Sequence, residues 1–471
     1  MSKEFPETIS LTKMLGPSFI ILALGLGSGE VILWPLLSSN YGLGIAWGAL
    51  LGITFQFFMN MEIERYALVK GESVFVGMNR IWRWAPWWFI ISTFIGFGLP
   101  GIIASSATTF AYVFGFESHE WIAIIFLITI GLIISMGKTV YDMMEKVTRT
   151  IIFLGIPFIL ILTFFVAKGI DWSVLAQGLM GIGDGYRFLP KDPEVGFLAL
   201  FLGAFAYAGA GGNLNLTQSI YIREKGYGMG KYSQKIAGLF QNAKKEQKVK
   251  LAGENFKADK QNIKRFNEWW KLVNTEHLMI FWFLGALAMS LLMLLAYATT
   301  YGMESNATGI QFVINEGVAI GAMLAPIVGT IFLLVVSIML FQTQLGIMDS
   351  TSRIMSENLA LKKLGKNTSG KIHLSKIYFL FLWAQVIFGI LLFLLDLAFP
   401  AIHISEPKFL LILGAVINAF AMFVHVGLVN WMNFKTLEKP FQAAIWRKLI
   451  MSGVFVFFGI FSVIVFWDKF F

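Results

Sequence analysis

The chain has 471 residues, 57% of them hydrophobic and 14% charged, with a mean hydropathy of +0.70. Soluble domains hold about 45–50% apolar and about 25% charged residues, so this composition excludes an ordinary soluble protein and indicates an integral membrane protein. The absence of cysteine excludes disulfides, thiolate metal ligands and thiol nucleophiles, and the formal charge of +9 has to be located before it is read as a nucleic-acid signal.

Apolar runs of about 20 residues cross a hydrocarbon core of about 30 Å as helices. In chain order such runs fall near residues 16–39, 43–61, 84–113, 120–137, 150–167, 197–222, 277–302, 318–345, 377–398, 409–430 and 449–467, which predicts eleven transmembrane helices. The run starting at Gly16 is too long for the apolar part of a cleavable signal, and none is expected. With the N-terminus inside, every Lys and Arg except Lys168, Arg187, Lys191, Lys408 and Lys469 falls in a cytoplasmic segment. This positive-inside asymmetry explains the net charge by topology. It predicts a plasma (inner) membrane protein with a cytoplasmic N-terminus and an external C-terminus, and no nucleic-acid partner.

The first run contains "LGLGSGEVILWP", residues 24–35, which sets Glu30 among glycines at about 20 Å from the start of its span. An ionised carboxylate at that depth costs several kcal/mol unless it meets water, a cation or hydrogen-bond donors. No Lys or Arg is predicted at comparable depth in any span. Glu30 is therefore either protonated and capping freed backbone groups, or it serves a bound cation or proton. In the third run, "SSATT" at 105–109 is polar, but hydroxyls in membrane helices commonly bond their own backbone. Asp142, Glu145 and Lys146 lie at an inner helix end, where capping and gating explain them equally well.

The sixth run is interrupted as the first is, by "AYAGAGGNLNLTQS" at 206–219. Glycine weakens a helix interior by about 1 kcal/mol relative to alanine, so two such clusters mark places where helices unwind. Small residues also permit close helix packing, but packing alone does not explain a carboxylate and asparagines beside the breaks. The broken runs are five apart, the spacing of two inverted repeats whose discontinuous first helices build a midplane site. The repeats would be residues 16–167 and 197–430, within a single transmembrane domain spanning 1–471, with 449–467 as an extra helix. Asn213, Asn215, Thr217 and Gln218 offer side-chain oxygens, and Asn213 and Thr217 share one face at i, i+4 on a helix. Carbonyls around Ala208–Gly212 would add to an all-oxygen shell, which suits hard cations such as Mg²⁺, Mn²⁺ or Ca²⁺.

The segment 223–276 is rich in Lys and Arg and follows the sixth run; its aromatic residues suggest a helix at the anionic inner leaflet, with Trp269 and Trp270 in the interface. The sequon at Asn306 falls in a predicted outer loop. In "FQTQLGIMDSTSR", 341–353, Gln342 and Asp349 are candidates for a pathway or gate, and Asp349 with Arg353 also forms an i, i+4 pair near the inner surface. Asn418 on the tenth run is a further pathway candidate. The sequence has no metalloprotease HExxH, Walker loop or hydrolase elbow, so an enzyme is not expected.

These residues resemble the natural resistance-associated macrophage protein family of metal transporters. "GPSFIILALGLGSGE", 16–30, is similar to that family's first helix, whose Asp-Pro-Gly-Asn break falls on Gly27, Ser28, Gly29 and Glu30. "YDMMEK", 141–146, resembles the family's Tyr-x-x-x-Glu-Lys segment, and the family's sixth-helix Met-Pro-His-Asn falls on Ala210, Gly211, Gly212 and Asn213. The resemblance implies an all-α LeuT-like fold with two inverted five-helix repeats and broken first and sixth helices. It also implies secondary transport of a divalent metal by alternating access. The departures matter. Gly27 and Ala210 replace the family's metal-binding Asp and Met, Gly212 replaces its His, and Glu30 puts a carboxylate where the family has an amide.

The expected metal ligands are Glu30 and Asn213, with Gly27, Gly29, Ala210, Gly212 and Thr217 around the substrate. No cofactor is expected beyond a transported divalent cation, Mg²⁺ or Mn²⁺ by the hardness of the donors. Proton coupling rests on Glu30 as a titratable group. A non-metal solute on the same scaffold and a membrane sensor without flux are the alternatives. The expected partners are thus the metal ion or small solute, protons and the lipid bilayer.

Overall fold

A computed structural model of the chain describes residues 3–10, 14, 16–136, 140–182, 186, 197–234, 247–303, 309–365, 368–399 and 407–470. Among them, nine helices are long and apolar enough to cross a membrane, or ten when a bent pair near the N-terminus counts as one span. The chain is an integral membrane protein. Each of the eleven predicted runs coincides with helix, but several are built from shorter pieces, the first and sixth among them.

The first run is α1, Pro17–Gly25, then a π-helical turn over Ser28–Leu33 and α2, Trp34–Tyr41, with a bend of 42°. Pro17 opens α1, where its missing N–H has no role, and Pro35 opens α2. Next come α3, Ala46–Lys70, α4, Val74–Ile81, α5, Ala85–Phe97, and α6, Gly101–Phe114. α3 stops because Gly71 takes φ 62°, a left-handed cap whose N–H bonds the Ala67 carbonyl. α7, His119–Met136, α8, Val140–Val166, and α9, Gly169–Met180, follow. The sixth run comprises α10, Phe197–Ala206, an irregular stretch, a 3₁₀ turn over Gly212–Thr217 and α11, Gln218–Lys225.

The second half contains α12, Lys260–His277, α13, Leu284–Thr300, α14, Ile310–Met323, α15, Pro326–Leu364, α16, Leu374–Ala398, α17, Pro407–Thr436, and α18, Ile445–Phe470. A π-helical turn, Leu278–Phe283, joins α12 to α13 without a break. The 39 residues of α15 make it about 58 Å long, so it projects well beyond the hydrocarbon core. It packs against α1, α5, α6, α14 and α16, while α17 packs against α5, α10 and α18. α1 and α2 are buried almost throughout, whereas Ile125, Phe164, Leu391 and Val463 on the outer helices stay exposed, as residues facing lipid do.

The segment after α11 differs from the expected surface anchor. Trp269 is buried against Tyr227 and donates its indole N–H to the Pro6 carbonyl at 3.0 Å, while Trp270 stacks on the Arg65 guanidinium at 3.8 Å. An indole N–H needs an acceptor once buried, and the N-terminal strap supplies it. The same strap pairs Phe5 N–H with Asn262 Oδ1, and β1, Gln247–Lys250, pairs antiparallel with β2, Ser369–Ile372, beyond the end of α15. Residues 235–246 of this segment, the Asn306 sequon, Arg187, Lys191 and the side chain of Asp142 lie outside the described residues.

Candidate functional site

The two interrupted helices meet. A Cβ placed on Gly25 would lie 2.7 Å from the Gly209 carbonyl carbon and 2.8 Å from Glu30 Oε1, and one on Gly29 would strike the Tyr207 carbonyl. Only glycine allows backbones to approach this closely. Gly209 and Gly211 also take φ values of 130° and 74°, conformations that L side chains rarely adopt. The C-terminal ends of α1 and α10 therefore converge beside the Glu30 carboxylate. Helix C-termini carry partial negative charge, so the junction is favourable for a cation.

Glu30 is fully buried, in a π-helical turn of the kind that recurs at functional sites. The backbone N–H groups of Gly27 and Glu30 lie beside its carboxylate, but neither oxygen has a well-formed hydrogen bond. The expected capping role is therefore only weakly realised. Other side chains satisfy the freed backbone instead. Gln56 of α3 donates Nε2 to the Ala206 carbonyl at 2.9 Å and accepts the Gly211 N–H on Oε1 at 3.1 Å. Thr343 of α15 donates to the Ala23 and Leu26 carbonyls, each at 3.2 Å, and its methyl sits where a Cβ on Gly27 would fall.

The remaining predicted residues are distributed around this junction. Asn213 is buried; its Nδ2 donates to Ser92 Oγ at 2.8 Å and to Thr93 Oγ1 at 3.0 Å, leaving Oδ1 without a partner. Because Gly212–Thr217 is a 3₁₀ turn, the i, i+4 face expected for Asn213 and Thr217 does not form, and Thr217 donates to the Leu214 carbonyl at 2.5 Å. Ala210 is buried between the two strained glycines, and Gly212, at φ 48°, starts the turn. A Cβ on Gly212 would collide with Asn418 Oδ1. Asn418 Nδ2 bonds the Gly96 carbonyl and the Tyr207 hydroxyl, both at 2.8 Å, so it ties α5, the sixth-helix break and α17 together.

Gln342 is buried with Nε2 unpartnered. Asp349 forms the i, i+4 pair with Arg353 that its spacing suggested, but inside the protein. It is fully buried, accepts Arg353 Nε on both oxygens at 2.9 Å, and accepts the Tyr378 hydroxyl at 2.6 Å. Arg353 continues to Glu224 of α11 at 2.6 Å, and Arg223 forms a bidentate pair with Glu357 at 2.9 Å in both contacts. These pairs lock α11 to α15 with charges that must be separated in hydrated form if the two helices part. Glu145 receives both Arg149 at 2.6 Å and Lys225 at 2.7 Å. In "SSATT", Ser105, Thr108 and Thr109 bond carbonyls one turn back, but Ser106 exchanges reciprocal hydrogen bonds with Ser337 of α15 at 2.8 and 2.9 Å.

Sequence reasoning passed over Gln56, Thr343, and the pair Arg223 and Glu357. A lone amide inside an apolar run was the available signal for Gln56. Thr343 carried none, since its role depends on which backbone it meets.

Neither a protein-family profile nor a curated relative matches the sequence. Solved structures do match. A mutant of the Eremococcus coleocola manganese transporter is 13% identical, aligns over 98% of this chain and 88% of its own, and has a TM-score of 0.72. MhsT in complex with L-phenylalanine is 14% identical, with coverages of 96% and 98% and a TM-score of 0.52. A transporter of the nucleobase-cation-symport-1 family is 11% identical, with coverages of 98% and 91% and a TM-score of 0.54. The fold is LeuT-like, as the resemblance in the first and sixth helices implied.

Proposed function

We propose that this protein is a secondary transporter that carries a divalent cation, of the Mg²⁺ or Mn²⁺ class, across the membrane by alternating access. One observation carries the reading: a fully buried carboxylate, Glu30, without a well-formed hydrogen bond where two broken helices touch. An ionised, unpaired carboxylate in such a place costs several kcal/mol, and a cation between the negative poles of α1 and α10 removes that penalty. The first ligands are the Glu30 oxygens. Main-chain carbonyls near Tyr207–Gly211 and the free Oδ1 of Asn213 are hard oxygen donors on the facing helix.

Alternating access divides between the two interrupted helices. α1 and α11 lie on one side of the breaks and contact each other and α15 or α3, so their joint movement opens one path to Glu30. The buried pairs from Arg223 to Glu357 and from Arg353 to Glu224 are the latch on that side. The fold similarity to a manganese transporter supports transport, and the hard oxygen donors support the cation class. Residues 16–167 and 197–430 serve as the two inverted repeats, in a plasma membrane with the N-terminus inside.

Purified protein in liposomes should take up Mn²⁺ or Mg²⁺, and Glu30→Gln should reduce uptake at least about tenfold, since neutralising the one carboxylate removes more than about 1.4 kcal/mol of cation binding. An anion that crosses equally well with wild type and Glu30→Gln refutes the assignment. A second reading, transport of a small organic solute, is favoured by the other walls of the junction: the Phe281 ring and the Gln56 amide both crowd Gly209. Counterflow with organic cations in the same vesicles separates the two readings.

A further inference from the structure

A second group of buried acids lies away from Glu30 and has no part in the reading above. Ser18 near the start of α1 donates to Glu276 Oε2 at 2.5 Å and sits 2.8 Å from His277 Nδ1. That nitrogen is 3.3 Å from Glu64 Oε1, which also accepts Gln218 Nε2 at 2.6 Å. One continuous polar string thus joins α1, α3, α11 and α12. Ser18, Glu64, His277 and Gln218 are fully buried and Glu276 nearly so. The imidazole is stacked between Phe281, at 4.7 Å, and Phe57, at 5.6 Å, which seal it from water.

The charges do not balance. With a neutral imidazole, two ionised carboxylates place −2 in a dry site, and among the described residues no Lys or Arg forms an ion pair with either. The surrounding elements offer the Gly16 and Ser18 N–H groups at the start of α1, which lie beside Glu276, then Tyr227, which donates to the Met14 carbonyl, and Lys225, whose ammonium is held by Glu145, itself also paired with Arg149. Two adjacent buried carboxylates without a cationic partner cost several kcal/mol, and protonating one of them is the least demanding remedy. The helix axis from Ser18 to Gly25 adds about 10 Å of separation from the Glu30 junction.

We infer that Glu64 and Glu276, joined through His277 and Ser18, form a proton-binding site distinct from the Glu30 junction, and that its protonation holds α1 and α11 against α3 and α12. The inference rests on the transporter reading for its purpose: a proton taken up by one carboxylate changes the site from −2 to −1 and keeps this side closed. Release of that proton restores mutual repulsion, admits water and frees both mobile half-helices. The coupling proton then resides here, and Glu30 is left to the substrate.

The test needs no substrate. The chain has no cysteine, so a single Ile21→Cys on buried α1 reports opening of this side by reaction with a membrane-impermeant maleimide. In full-length protein, labelling should rise by up to about tenfold per pH unit through the titration, as the ionised fraction does. Glu64→Gln with Glu276→Gln should abolish that pH dependence, Ser18→Ala should displace it, and Glu30→Gln should leave it intact. A profile unchanged in the double variant, or lost in Glu30→Gln, overturns the proposal. Infrared pH-difference spectra of the Glu30→Gln protein give a readout that survives poor folding of the double variant. A protonated-carboxyl band that weakens in Glu276→Gln or Glu64→Gln is expected, and its absence at every pH refutes the site. Failure of Mn²⁺ or Mg²⁺ flux with these pH responses intact would defeat the divalent-cation reading alone.

Discussion

Replacing Gly25 with alanine tests the junction of the two broken helices most directly. The added methyl would sit 2.7 Å from the Gly209 carbonyl carbon, while ordinary contacts begin at 3.4 Å, so the two backbones must separate by about 0.7 Å. Both atoms belong to main chain held by Gln56 and Thr343, and no side chain can rotate out of the way. Overpacking of this kind costs about 1–3 kcal/mol. The methyl also takes the space 2.8 Å from Glu30 Oε1 that a bound ion would use. Mn²⁺ affinity should therefore fall by about 5–150-fold, the equivalent of the same energy, and the thermal unfolding midpoint should drop. Gly155→Ala is the control: its nearest atom is Met339 Sδ at 3.7 Å, and helix propensity favours alanine there. Calorimetric Mn²⁺ titration and thermal unfolding in detergent measure both quantities. If Gly25→Ala behaves as Gly155→Ala does, the two breaks do not touch in the way described.

Gln56→Leu removes a donor and an acceptor from the sixth-helix break and leaves the Ala206 carbonyl and the Gly211 N–H unsatisfied; at about 1–3 kcal/mol for each group, unfolding should occur at a clearly lower temperature than in wild type. Glu357→Gln strands Arg223 in a buried site, and removing one partner of such a pair costs about 3–5 kcal/mol. Faster maleimide labelling of Ile21→Cys at constant pH should follow, and unaltered labelling would mean that the pair is no latch. Ser106→Ala and Ser337→Ala should each remove one hydroxyl bond to a main-chain carbonyl of the facing helix and each lower stability by about 0.6 kcal/mol in thermal unfolding, the usual size for such bonds between membrane helices.

The primary sequence alone determined the membrane setting, the order of the spans and the position of both helix breaks, because each depends on local composition: apolar runs long enough for lipid, basic residues beside them, and glycines where the hydrogen-bond ladder fails. Glu30 was legible for the same reason, as a charge whose depth follows from counting residues. Tertiary structure decided what these features meet. Asn213 and Thr217 were expected on one helical face, but the turn is 3₁₀, and only the folded backbone sets that pitch. Asp349 was expected in a pair with Arg353 near the inner surface; only the fold shows that α11 and α16 enclose the pair and supply Glu224, through Arg353, and Tyr378. Glu64, His277, Ser18 and Gln218 come from four separate elements, so no local pattern could have joined them. A buried charge is assigned its partner by packing across the chain, and hydrophobic periodicity carries no record of that pairing.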